Sequence, residues 1–169
     1  MTNFTGTLPT SFLTGQPLPA AELQTMLDAL TALTDAWTDW SSSFVIGAST
    51  TAPTMGSSVK TARYKQVGKL VMFDFSLDVT TGGSWNAGSG SYNFPVPVAC
   101  HSSRKYIGPA YANDSGTAVR VGICRFDANV SNLRVFLNDG LNVPLSSSGP
   151  GTAWATGDYV HGQILYEAA

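Results

Sequence analysis

Between Leu23 and Trp40 the large apolar residues are Leu23, Met26, Leu30, Leu33, Trp37 and Trp40, at steps of 3, 4, 3, 4 and 3. That spacing sets a single apolar ridge along one face of a helix. From Phe44 onward the apolar spacing falls to two, the repeat of a β-strand. One change of period therefore divides the chain into a helix over 19–40 and a β domain over 41–169, with an arm of residues 1–18 in front. Pro19 suits the first helical position, where its missing N–H costs nothing, and Glu22 suits the positive end of the helix dipole. Leu27, Ala29 and Ala36 flank the ridge and widen it beyond a two-stranded seam. Asp28 and Asp35 fall on the opposite side, and Ser41, Ser42 and Ser43 are expected to end the helix. Two arrangements would cover the ridge: the chain's own β domain, or sister helices in a coiled coil. Trp37 and Trp40 favour sister helices, because isolated helices of this length are marginal in water and a lone one has little to bury two indoles against. Leu23, Met26, Leu30, Leu33, Trp37 and Trp40 are thus the expected oligomerisation residues.

The alternating part predicts strands over 44–48, 59–67, 69–80, 91–95, 106–112, 117–126, 132–138 and 158–167. Val71, Phe73, Phe75, Leu77 and Val79 alternate with Met72, Asp74, Ser76 and Asp78, an apolar-in, polar-out strand. Val119, Val121 and Ile123 are expected to point inward in the same way, with Arg120 outward. Val160, Ile164 and Tyr166 share one face of the last strand. Gly68, Gly82 and Gly83, Asp114-Ser115-Gly116 and Asp139-Gly140 supply turns. Eight short strands without crossover helices predict a mainly β protein: an antiparallel β-sandwich, jelly-roll-like, behind one coiled-coil-type helix.

Composition narrows the function. Only 12% of residues are charged, against ~25% in ordinary soluble domains. No base precedes Lys60: residues 1–59 carry four acids, and residues 60–169 carry nine bases and seven acids. A chain of net charge −2 lacks the basic cluster that displaces counterions from a nucleic acid. No apolar run approaches the ~18 residues of a membrane-spanning helix. The N-terminus lacks a secretory pattern, so synthesis in a cytoplasm is expected, with Cys100 and Cys124 as small buried hydrophobes. Nucleophilic catalysis needs a Ser or Cys beside a base. His101 falls in a polar loop, and His161 shares the outer face of the last strand with Tyr159 and Gln163. Asp74 and Asp78 read as solvated carboxylates on one strand face. Asp127-x-Asn129-x-Ser131 opens like a calcium loop, but Asn132 and Asn138 stand where such a loop needs Gly and Glu. No catalytic residue, metal or cofactor is expected.

Residues 1–18 contain Pro9 and Pro17, which break any helix, yet also Phe4, Leu8, Phe12 and Leu13. So many large apolar side chains suit an extended arm docked on another protein, or one folded back on its own domain; the first is favoured. Trp85 and Trp154 lie in loops rich in Gly, Ser and Asn. They are either aromatic plugs of the domain or candidate glycan contacts.

The segments Phe4-Thr5-Gly6-Thr7-Leu8-Pro9, Leu30-Thr31-Ala32-Leu33-Thr34-Asp35-Ala36-Trp37, Ala62-Arg63-Tyr64-Lys65-Gln66-Val67-Gly68-Lys69, Phe94-Pro95-Val96-Pro97 and Trp154-Ala155-Thr156-Gly157-Asp158 occur in that order. Together they resemble small virion surface proteins of tailed phages that infect actinobacteria: minor tail, tail-fibre-like or head-decoration proteins. The chain departs from that group at Ser41-Ser42-Ser43-Phe44, where the group's helix continues into a Tyr-Thr-Pro-x-Trp stretch. The resemblance implies a homotrimer made in the host cytoplasm and resident on the virion surface. It implies an anchor in residues 1–18 that meets a capsid or tail protein, and no catalytic residues. The expected function is structural; the alternative is a receptor-binding fibre tip that holds a host glycan through Trp85 and Trp154.

Overall fold

The structure, a computed structural model, describes residues 19–56, 58–80, 86–126, 131–137, 144–150 and 153–169. Among the described residues one helix, α1 (Ala20–Thr34), precedes nine strands: β1 (Thr38–Asp39), β2 (Gly47–Ala48), β3 (Val59–Val67), β4 (Leu70–Asp78), β5 (Tyr92–Pro95), β6 (Ile107–Asp114), β7 (Ala118–Phe126), β8 (Asn132–Leu137) and β9 (Tyr159–Glu167). The strands lie in the order β1-β3-β4-β9-β6-β7-β8-β5-β2, and each neighbouring pair is antiparallel. Gly68, at φ 59°, turns β3 into β4, and Gly116, at φ 79°, turns β6 into β7. Both angles lie in the left-handed region where a Cβ is costly.

The sheet curls until its ends face each other. Phe75 on β4 and Phe94 on β5 are separated in the sheet by β9, β6, β7 and β8, yet their ring centroids are 5.1 Å apart. Phe44 bridges the same gap, 5.6 Å from Phe75 and 6.3 Å from Phe94. The enclosed core is aromatic, and Val71, Phe73, Phe75 and Leu77 are all fully buried in it. The inward rows expected on β4 and β9 are thus present: Val160, Ile164 and Tyr166 are also buried. The mainly β, antiparallel character holds, as one curled sheet.

The β7 expectation is reversed. Val119 and Val121 are each 65% exposed, while Cys124 and Phe126 are buried. The cause is a row of small residues across the inner face. Register pairs Phe75 with Gly162, Gly162 with Ala110, Ala110 with Gly122, and Gly122 with Leu137. The Phe75 ring lies over Gly162, and a Cβ on Gly122 would collide with the backbone of Phe136. The β8 backbone closes on Gly122, so the inner side of β7 has no room for valine there. A strand alternates with period two, so seating Gly122 and Cys124 inside sends Val119, Val121 and Ile123 outside.

Cys100 and Cys124 are both free thiols and both buried. The Cys124 thiol donates to the Gln163 carbonyl at 3.2 Å. Burial pushes its pKa from 9.0 up to about 12, and burial raises that of Cys100 as well. Above pH 9 the unfolded chain releases the Cys124 proton while the folded chain keeps it, so stability falls as pH rises from 9 towards 12. The slope from one thiol is about 1.4 kcal/mol per pH unit. Urea titrations of Cys124→Ala should show a shallower alkaline loss than the parent; identical slopes would contradict the assignment.

Candidate functional site: an exposed leucine ridge

Helix α1 starts without a side-chain cap. Pro19 stands at its N-cap, and the Pro19 carbonyl accepts from the backbone N–H of Glu22 at 3.0 Å and of Leu23 at 3.1 Å. Its C-terminal end has no base of its own. The base comes from β3 instead. Lys65 is buried, and its Nζ donates to the carbonyls of Leu33 at 2.6 Å and Asp35 at 2.7 Å. An ammonium on the last carbonyls satisfies groups that the helix leaves orphaned and opposes the negative end of its dipole. Nothing local in the sequence marks Lys65 as a cap, because its partners lie 32 and 30 residues away.

The helix rests against β3, with Ala29 and Ala32 buried. Small residues let the two backbones approach closely. The leucines are left outside: Leu23, Leu27, Leu30 and Leu33 are each more than half exposed, and Met26 is half-buried. Contiguous apolar surface of this kind is rare on a monomer and marks an interaction site.

Two of the six expected ridge residues do not belong to it. The helix stops at Thr34, so Trp37 and Trp40 lie beyond it. Asp35 adopts ψ 153°, and the chain runs extended into β1, pairing Thr38 with Tyr64 and Asp39 with Arg63. Trp37 lies under the Arg63 guanidinium, 5.0 Å from ring centroid to Cζ. Trp40 packs on Phe44 and Phe73, with centroids 6.1 and 5.8 Å away. The heptad spacing runs on past the helix, but β3 offers these residues strand pairing and an aromatic core, which the short helix end does not match. The serines therefore do not end the helix, which stops at Thr34; they form a turn after β1, where the Asp39 carboxylate accepts from the Ser41 N–H at 2.9 Å and its hydroxyl at 2.6 Å. Those bonds hold the Asp39 pKa below the usual carboxylate value.

The outer face of β3, β4, β9 and β6 carries a polar cluster. Asp74 lies 3.5 Å from Arg63 Nε and 3.6 Å from His161 Nε2. Asp74 therefore sits between two bases, where solvent alone was expected. Tyr111 flanks His161, with ring centroids 5.3 Å apart. Among the described residues no group of three His, Cys, Asp or Glu side chains is arranged to hold a metal. No described helix is long and apolar enough to cross a membrane.

Trp154 is buried, stacked on Tyr92 with centroids 5.9 Å apart, and its indole N–H donates to the Ser146 carbonyl at 2.9 Å. Packed on Tyr92 and with its donor satisfied, the ring fits the plug reading of this residue. Trp85 lies outside the described residues, as do Phe4, Leu8, Phe12 and Leu13 of the arm. Comparisons with family models, curated proteins and solved structures return no match to this chain.

Proposed function

We propose that the protein is a structural component of a phage virion: a homotrimeric surface fibre or decoration protein, held to capsid or tail by residues 1–18. In this reading the curled sheet is an outward, jelly-roll-like knob, and the leucine face of α1 is where sister copies meet. One observation carries it: four leucines stand exposed on a helix whose alanine face is already seated on its own domain. Burying such a side chain fully contributes about 1.5–3 kcal/mol. Covering four half-exposed leucines thus contributes several kcal/mol per chain towards association. The composition supports the same reading. A chain with 12% charged residues and 36 Ser and Thr of 169 depends little on ion pairs and so tolerates changes in salt. The glycan-binding alternative loses one of its two contacts, because Trp154 is buried.

Light scattering on the purified protein at micromolar concentration tests the assembly. The expected mass is three times that of the 17.8 kDa chain. A monomer overturns the proposal. For the virion assignment, electron microscopy of particles lacking the protein should show missing surface density, and unchanged particles count against it.

A further inference from the structure

Strands β5, β7 and β8 carry three arginines and no acid. Arg120 follows Gly122 and Cys124 onto the inner face of β7. Arg125 and Arg134 stand on the outer face, because their strand neighbours Cys124, Phe126, Leu133 and Val135 are all buried in the core. Register sets the two directly opposite each other. Like charges so placed repel, yet the fold holds both. Arg125 lies over the Phe136 ring, with its Cζ 4.1 Å from the centroid. That stacking occupies one face of the guanidinium and leaves its N–H edge for another partner. Arg134 reaches the other way, and its Nε donates to the Asn93 Oδ1 at 3.3 Å.

We propose that Arg125 and Arg134 together bind a doubly charged tetrahedral oxyanion: phosphate, or the phosphoryl group of a monoester. The spacing fits one such group. Arg125 ends over Phe136 on β8, and Arg134 ends at Asn93 on β5, opposite Arg134 itself. One strand spacing of ~4.8 Å and two residues at ~3.4 Å each separate those points, roughly 8 Å in all. A tetrahedral anion that accepts from both guanidiniums at ~2.7–2.9 Å spans about that distance. Its two charges cancel both arginines, whereas a carboxylate has one charge and two oxygens in a plane.

The surrounding charges favour an anion. Among the described residues Arg125 makes no ion pair. Lys105 is exposed two residues before Ile107, which pairs with Arg125, and adds a third base. Glu167 is engaged by Arg104 at 3.2 Å, and Asp114 is buried at the far end of β6. Asp127 and Asp139 lie outside the described residues. The site needs no second copy of the chain, so it stands apart from the self-association reading.

Nuclear magnetic resonance of the full chain tests it, at about pH 8, where phosphate and its monoesters are mostly doubly charged. The Nε–Hε signals of Arg125 and Arg134 should shift and saturate as inorganic phosphate is added, and stay in place with sodium chloride at matched ionic strength. Glycerol phosphate should reproduce the shifts if the site reads the phosphoryl group wherever it is carried; shifts with inorganic phosphate alone assign it to the free ion. Arg125→Lys keeps the charge and loses the planar fork, so its phosphate affinity should fall about tenfold. Arg125→Gln should abolish binding, and the amide spectrum reports whether each variant is folded; the lysine variant serves if the glutamine one is not. Phosphate shifts no larger than those with chloride, an equal affinity for acetate, or full phosphate affinity in folded Arg125→Gln would each overturn the site.

Discussion

Phe75→Ala should cost the β domain about 3–5 kcal/mol, the usual price of emptying a buried aromatic site. Most domains have 5–15 kcal/mol in total, so the variant is expected at the edge of folding. The reason is position. The Phe75 ring is fully buried, 5.5 Å from Phe73, 5.6 Å from Phe44 and 5.1 Å from Phe94. It joins β4 to β5 across the mouth of the curl, so its removal leaves a cavity that no single strand can collapse to fill. Urea unfolding measures the loss; a cost below about 1 kcal/mol would refute the curled-core account. A partner experiment probes the same spot from the other side. In Gly162→Ala the new methyl would meet the Phe75 ring, which its aromatic neighbours keep from moving away. Overpacking of this kind costs about 1–3 kcal/mol. In a Phe75→Leu background the methyl gains space, so the two changes should couple by at least 0.5 kcal/mol, the lower end for residues in contact.

Lys65→Met should release α1 while leaving the sheet folded. The methionine keeps most of the buried stem and removes the ammonium that binds two carbonyls at 2.6 and 2.7 Å. Hydrogen bonds to a charged group contribute about 1.5–3 kcal/mol. The helix rests against β3 alone among the strands with substantial contact, so most of that loss becomes local opening of α1. Amide exchange over residues 20–34 should accelerate by roughly 10–100-fold, at 1.4 kcal/mol per decade. Exchange in β4 and β9 should hardly change. Unchanged exchange in the helix would show that Lys65 does not hold it.

Lys65 and the tryptophans mark the limit of what spacing conveys. Strand β3 was legible in its bounds, 59–67, because Gly68 ends it in a turn. Helix α1 was legible at its start and along its leucines. Its end was not, because the steps from Leu33 to Trp37 and Trp40 suit a helix as well as the extended run into β1. What separated the two was an aromatic pocket made by Phe44 and Phe73, residues that lie later in the chain. The candidate site was half legible for the same reason. Its leucines are a local pattern, but the alanine contact that leaves them exposed is made with a strand about thirty residues on.

From its sequence alone the chain determines one helix, a following set of antiparallel strands, and the turns between them. These follow from hydrophobic period and from the backbone freedom of glycine, which act over a few residues. Which face of a strand turns inward is a different kind of fact. Val119 and Val121 alternate as well as Phe73 and Phe75 do, and by spacing alone both pairs belong inside. The tertiary structure decided between them by volume: with the Phe75 ring over Gly162 and the Phe136 backbone against Gly122, the row through Gly162, Ala110 and Gly122 stays small, and β7 presents its valines to the outside. A core of fixed density admits only one of two competing apolar faces, and that choice exists only once the strands have met.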